Sequence, residues 1–306
     1  MARVSVEIPE EFRRLVAGRP PEPDVAGDDW LRSLPTLIGD ALARWALTPA
    51  GTARFGYCAL VLPVRREDGS AAALKVGWPH PESRHEHLAL RAWDGHGAAH
   101  LLAADPATST MLLEFLEPDR DLEEEDIEQA CVTIGTLLAR LDRPALPQLD
   151  RLSDWAGLHR RFDSPAAAAI PRRFLQQARS GIDGLLEGVD VDARLVHTDL
   201  HYENVLAGPR GWTAIDPKPM AAEPAFGVWP ALHNRWEEAA AHPAWEVHCR
   251  LGWICEAAGI DEDRARAWAL VRTVVDAIDA ASSGDAGNSD LLTARITLAK
   301  ALAQRF

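Results

Sequence analysis

The chain has 306 residues, of which 47% are hydrophobic and 25% charged, a length and balance that suit a globular protein with room for two lobes or two domains. Its formal net charge of −14 argues against a nucleic-acid partner, whose phosphates it would repel, and is compatible with a cationic small molecule or with a merely solvated surface. Four scattered cysteines (Cys58, Cys131, Cys249, Cys255) form no CxxC pair, no apolar run nears the roughly 20 residues that span a bilayer, and the N-terminus lacks a secretory pattern, so a cytoplasmic protein with reduced thiols is expected.

Residues 1 to about 29 hold a short amphipathic stretch and then a stiff break, Arg19-Pro20-Pro21-Glu22-Pro23. Trp30, Leu34, Leu37, Ile38, Ala41 and Leu42 repeat at helical spacing up to Arg44, with Pro35 expected to delay the start of that helix. After Gly51 to Tyr57, the apolar run Cys58 to Val64 reads as a strand, Glu67-Asp68-Gly69 as a turn, and Ala71 to Val76 as the returning strand. That strand carries Lys75 between apolar neighbours, where a lysine needs a partner. Pro81 to Trp93 reads as one helix with proline in its first turn, placing Glu86 mid-helix and Glu82 as its competitor for Lys75. Thr110 to Leu116 reads as a buried strand. This order predicts a small β-rich lobe over residues 1–116.

The acidic run Asp119 to Asp126 reads as a solvated helix start, where negative charge suits the helix dipole. Glu123 to Asp142 follows with Ile127, Cys131, Ile134, Leu137, Leu138 and Leu141 on one face. Pro171 to Leu186, Trp229 to Ala240, Ala244 to Ala258, Asp261 to Ala281 and Asp290 to Gln304 read as further helices, with Gly259 and Ser282-Ser283-Gly284 ending two of them. Residues 117–306 are therefore expected to form a mainly helical lobe.

Inside that lobe lies the most informative run, His197-Thr198-Asp199-Leu200-His201-Tyr202-Glu203-Asn204. Arg194 to His197, Val205 to Ala207 and Trp212 to Ile215 read as strands, and Gly208-Pro209-Arg210-Gly211 has turn chemistry. A hairpin of this kind brings Asn204 and Asp216 together. Phosphoryl transfer on the kinase plan needs these groups: Asp199 as the base for a hydroxyl, Asn204 and Asp216 as magnesium ligands. A competing reading takes His197-x-Asp199-x-His201 as the transition-metal site of a hydrolase. It leaves Asn204, Asp216, Lys75 and Glu86 without a role. A nucleotide-binding pseudokinase is a third reading, against which intact Lys75, Asp199, Asn204 and Asp216 argue.

The run from His197 to Asn204, followed by Ala214-Ile215-Asp216-Pro217, resembles the catalytic core of the aminoglycoside phosphotransferases. Across Leu195 to Arg235 it most resembles their streptomycin 6-phosphotransferase and hydroxyurea phosphotransferase branch. The resemblance implies an α+β, bilobal protein-kinase-like fold with a small β-rich N-lobe and a mainly helical C-lobe. It implies ATP-dependent, magnesium-dependent phosphorylation of a hydroxyl on a small acceptor, an aminoglycoside or hydroxyurea. A metabolic sugar or amino-alcohol kinase of the same fold is the alternative. Thr52 to Tyr57, although not GxGxxG, would cover the phosphates, Lys75 would contact them, and Glu86 would pair with Lys75. Glu114 and Leu116, in Glu114-Phe115-Leu116-Glu117-Pro118, would belong to the hinge whose backbone binds adenine. His197 would orient the catalytic loop. Glu223, Trp229, His233 and Asn234 would border the acceptor. Pro217-Lys218 replaces the Phe-Gly of protein kinases, as is usual in antibiotic kinases, and Gly227 stands where relatives commonly carry an acidic residue.

Overall fold

Phe12 and Val16 lie four residues apart, and in the computed structural model they are the buried face of helix α1 (Glu10–Val16). The structure describes residues 6–21, 24–155, 159–282 and 288–304, so Glu22 and Pro23 of the proline-rich break and Ser283-Gly284 at the end of a helix lie outside the described residues. Helix α2 (Gly27–Arg44) starts ahead of Trp30 and runs straight through Pro35. The expected delay does not occur. A proline lacks one amide donor, and here the buried stripe Trp30, Leu34, Ile38 and Leu42 holds the helix together regardless.

Alternation of buried Leu60, Leu62 and Val64 makes β3 (Ala59–Arg65) a one-faced strand, following the short β1 (Thr48–Pro49) and β2 (Arg54–Phe55). β4 (Ala71–Gly77) pairs antiparallel with β3 and places Lys75 opposite Val61. Next come helix α3 (Glu86–Trp93), β5 (Leu101–Asp105) and β6 (Thr110–Glu114), and the strands line up as β1-β3-β4-β6-β5 with β2 on β3. Two details depart from expectation. Pro81–Ser83 is a separate 3₁₀ turn, so α3 begins at Glu86 and this glutamate sits in its first turn, not mid-helix. The Ser83 amide and hydroxyl both bond the His80 carbonyl, a local arrangement that competes with the α-helix. β6 ends at Glu114, leaving Leu116 beyond the strand.

The start of the acidic run, Asp119 to Asp121, lies in strand β7 (Glu117–Asp121), and helix α4 (Ile127–Arg140) starts later than Glu123 because Asp126 caps it, accepting from the amides of Glu128 and Gln129. Then follow β8 (Arg143–Pro144), α5 (Leu152–Trp155), α6 (His159–Phe162), α7 (Arg172–Leu186), β9 (Arg194–His197), β10 (Val205–Gly208), β11 (Gly211–Ala214) and β12 (Pro219–Ala222). β12 pairs antiparallel with β9, and β9 with β8. The rest is helical: α8 (Trp229–His233), α9 (Trp236–Ala239), α10 (Pro243–Ala258), α11 (Glu262–Ser282) and α12 (Asn288–Leu302). Helix α11 is the spine, burying Trp268, Val271, Val274, Val275 and Ile278. The single helix expected over 229–240 is broken at Arg235, whose φ is +51°. The carbonyls of Asn234 and Arg235 turn out of the helical ladder to accept from the buried Arg250 guanidinium.

The chain divides into two compact units, Met1–Pro118 with Ala207–Gly211, and Asp119–Leu206 with Trp212–Phe306. In the second unit Gly227 lies against β9. A Cβ there would stand 2.9 Å from Val196 Cγ1 and 3.3 Å from the His197 carbonyl, so Pro224–Val228 hugs the strand because residue 227 has no side chain.

Candidate active site

β9 delivers the chain into the loop that carries Asp199, and His197 fixes its geometry. The His197 ring is buried; its Nε2–H donates to the Ile215 carbonyl at 3.0 Å and its Nδ1 accepts from the Asp199 amide at 3.1 Å. Burial pushes its pKa down to about 4, so the ring is neutral and both nitrogens serve backbone groups. His197 thus orients the loop, and the ring has no nitrogen left for a metal. His201 is held neutral by burial too, and its Nε2 accepts from Asn204 Nδ2 at 2.9 Å. Among the described residues no group of three or more His, Cys, Asp and Glu side chains could hold a metal ion. The histidine-rich hydrolase reading therefore does not form.

Asn204 also donates through Nδ2 to the Asp199 carbonyl at 2.9 Å. Both amide protons are then committed, and Oδ1 remains as an acceptor. The Asn204 carbonyl accepts from the Ile215 amide at 2.9 Å, which ties the start of the hairpin to the residue preceding Asp216. Asp216 has a φ of +50°, the left-handed region that aspartate tolerates better than most residues. The backbone bond from Ile215 to Asn204 sets an asparagine and an aspartate near one another along the hairpin, and an amide oxygen and a carboxylate are ligand types that suit a hard cation.

In the first unit, Lys75 Nζ lies 2.7 and 2.8 Å from the two carboxylate oxygens of Glu86. Both side chains are buried, at 9% and 3% exposure, whereas Glu82 is exposed on the preceding turn. Glu114 is more committed than expected. Its amide donates to the His100 carbonyl at 3.0 Å, and its carboxylate accepts from the His100 amide at 2.7 Å and from Arg210. Leu116 is buried just beyond the strand.

The four residues expected to border an acceptor are largely engaged with protein. Glu223 is buried, with one carboxylate oxygen accepting from Arg264 and the other from Trp268 Nε1. Trp229 is buried, donates to Thr273 Oγ1 at 2.9 Å, and has the guanidinium groups of Arg272 and Arg295 over its ring. The His233 ring lies tilted against Trp229 with centroids 4.0 Å apart, and is held neutral by burial and by Arg295 and Arg272 nearby. Asn234 Nδ2 closes onto the Pro230 carbonyl at 2.9 Å.

Two residues matter that sequence reasoning passed over. Lys218 Nζ forms an ion pair with Asp199 Oδ2, while its own carbonyl accepts from the Thr198 amide at 3.1 Å and hydroxyl at 2.7 Å. Arg272 of α11 donates to the Thr198 carbonyl at 3.0 Å and the Phe226 carbonyl at 2.9 Å, clamping the loop that carries Asp199 to the segment before α8. The proximity of Lys218 to Asp216 in sequence was a signal for the first; nothing in the spacing pointed to the second.

The fold built around this loop is protein-kinase-like. It matches the structure of a thermostable mutant of an aminoglycoside phosphotransferase in ternary complex with ADP and hygromycin B, with a TM-score of 0.56 and 14% identity, covering 89% of this chain and 100% of that one. More specifically, the chain belongs to the aminoglycoside/hydroxyurea antibiotic resistance kinase family, which it matches over residues 44–284. It is 40% identical to a streptomycin 6-kinase of Streptomyces glaucescens, over 97% of each chain. It is also 40% identical to a hydroxyurea phosphotransferase of Kitasatospora aureofaciens, over 92% of this chain and 82% of the relative.

Proposed function

We propose that this kinase transfers the γ-phosphoryl group of ATP, bound with magnesium, to a hydroxyl of a streptomycin-like aminoglycoside or of hydroxyurea, and so inactivates it. The observation that carries the reading is the Asn204 network: both amide protons are spent on Asp199 and His201, which leaves Oδ1 for a cation beside the residue that follows Ile215. Magnesium, held by Asn204 and Asp216, would neutralise charge on the phosphates. Asp199 takes the proton of the acceptor hydroxyl. Lys75 contacts the nucleotide phosphates, and Glu86 fixes Lys75. With the Glu114 amide already bonded to His100, Glu114 would offer adenine its carbonyl, and Leu116 its backbone groups. Among the described residues no helix is long and apolar enough to cross a membrane, and an ATP-dependent enzyme of this kind needs only the cytoplasm, its nucleotide and a small acceptor.

The direct test is incubation with Mg-ATP and either streptomycin or hydroxyurea, following ADP release and product mass. A product heavier by one phosphoryl group is expected with one of them. Inertness to both, with turnover of a sugar or amino alcohol, would move the enzyme to the metabolic reading. Asp216→Ala should abolish the thermal stabilisation that Mg-ATP gives the wild type, since a ligand of the native state must raise its stability. Undiminished stabilisation would remove Asp216 from the metal site.

A further inference from the structure

We infer that Lys218 is a further catalytic residue, a cation for the phosphoryl group in flight, an assignment that rests on the phosphotransferase reading above. Three observations carry it. Lys218 Nζ pairs with Oδ2 of the carboxylate assigned as base. The pair is open, with side-chain exposures of 30% for Lys218 and 23% for Asp199. The backbone of Lys218 is locked to the loop, because its carbonyl accepts from both the amide and the hydroxyl of Thr198, the residue before Asp199.

Geometry then limits where the ammonium group can be during transfer. An acceptor hydroxyl must come within roughly 3 Å of the Asp199 carboxylate to give up its proton. The phosphorus it attacks lies roughly 3 Å further on in a near-attack arrangement. A group already bonded to that carboxylate, on a flexible four-carbon stem with an anchored backbone, reaches the equatorial oxygens of the phosphoryl group by a small rotation.

The charge balance favours that movement. The acceptor oxygen forms its bond to the γ-phosphorus while the bond from phosphorus to the β,γ-bridging oxygen breaks, with its electron pair leaving on ADP. The hydroxyl proton goes to Asp199. Once protonated, that carboxylate no longer holds Lys218 by charge, at the moment when the transferring group gathers negative charge on its oxygens. An ammonium ion aimed at charge that develops in the transition state speeds the chemical step more than it tightens binding.

The test is a cycle of Lys218→Ala, Asp199→Asn and the double variant, with Lys218→Arg as rescue, on the full chain with Mg-ATP and whichever of streptomycin or hydroxyurea the wild type phosphorylates. Lys218→Ala should lower kcat by about 10²-fold, the scale of losing one oxyanion contact. Its Mg-ATP dissociation constant by calorimetry should stay within about threefold of wild type, because the contact forms only during transfer. Lys218→Arg should recover part of the lost rate. In the Asp199→Asn background, removing Lys218 should still cost about tenfold, whereas a lysine that acts only by orienting the base would cost nothing more. No further loss there, or a near-wild-type kcat in Lys218→Ala with unchanged melting temperature, overturns the assignment. A wild type that neither binds Mg-ATP nor phosphorylates any alcohol would remove the phosphotransferase reading itself; an active wild type with a silent Lys218 removes the lysine alone.

Discussion

Among the described residues, the lysine–carboxylate pairs Lys75–Glu86 and Lys218–Asp199 are built on opposite principles. Lys75 and Glu86 are closed off, at 9% and 3% exposure, with both glutamate oxygens on the ammonium group. Lys218 and Asp199 are left open at 30% and 23% exposure. Two charges taken out of water hold each other because separation would leave each without solvent, so the first pair sets a shape. Two charges in partial contact with water separate at little cost, so the second can trade partners. The same residue chemistry thus supplies a fixed strut in the sheet-bearing unit and an exchangeable contact in the helical one.

The largest stability effect should come from breaking the closed pair. Glu86→Leu strands a buried ammonium group and should cost about 3–5 kcal/mol in urea unfolding. Adding Lys75→Met should restore most of that loss while activity stays absent, since an apolar pair satisfies packing but not phosphate. A cost below about 1 kcal/mol for Glu86→Leu, the range of exposed pairs, would show that the strut is not sealed.

Next in size is the pH response of His197, which positions the loop of the open pair. Its folded pKa is pushed down to about 4 from 6.5, so the unfolded chain takes up a proton that the folded chain refuses. Stability is full above pH 6.5 and falls as pH drops toward 4, by about 1.4 kcal/mol per unit in that window. Burial lowers His201 and His233 in the same direction. Urea unfolding at pH 7 and pH 5 should show the drop, and His197→Gln should reduce it, leaving the share of His201 and His233. Equal stability at both values would mean that the ring accepts a proton inside the fold. The smallest effect belongs to the open pair. Lys218→Ala should change stability by less than about 1 kcal/mol, against its much larger effect on rate. A larger loss would make Lys218 a second strut.

The legible parts of the molecule were those with local chemistry. Asp199, Asn204 and Asp216 are joined by one hairpin, and the Asn204–Ile215 bond is the closure that its turn residues imply. Lys75 between apolar neighbours required a carboxylate, and the following helix provides Glu86, though from its first turn. Weakly patterned strands were missed. β5 is Leu-Leu-Ala-Ala-Asp and β12 is Pro-Met-Ala-Ala, with few of the branched or aromatic residues that favour strands. Glu223 sits beside acceptor candidates in sequence, yet its partners are Arg264 and Trp268, 41 and 45 residues away. Arg272 reaches Thr198 across 74 residues. Periodicity carries no information about partners at such separations; packing alone decides them.

Gly227 bears on how parts of such enzymes can be exchanged. The methyl group of an alanine there would press on Val196 Cγ1 at 2.9 Å, and a branched valine on a paired strand has little room to yield. An acidic side chain would press harder, against the strand whose next residue is His197. Position 227 is therefore fitted at once to Val196, to the His197 carbonyl and to Leu138 Cδ2 at 3.3 Å. A chimaera that imports a segment 219–235 with a larger residue at position 227 would carry a misfitted loop unless positions 138 and 196 are changed with it.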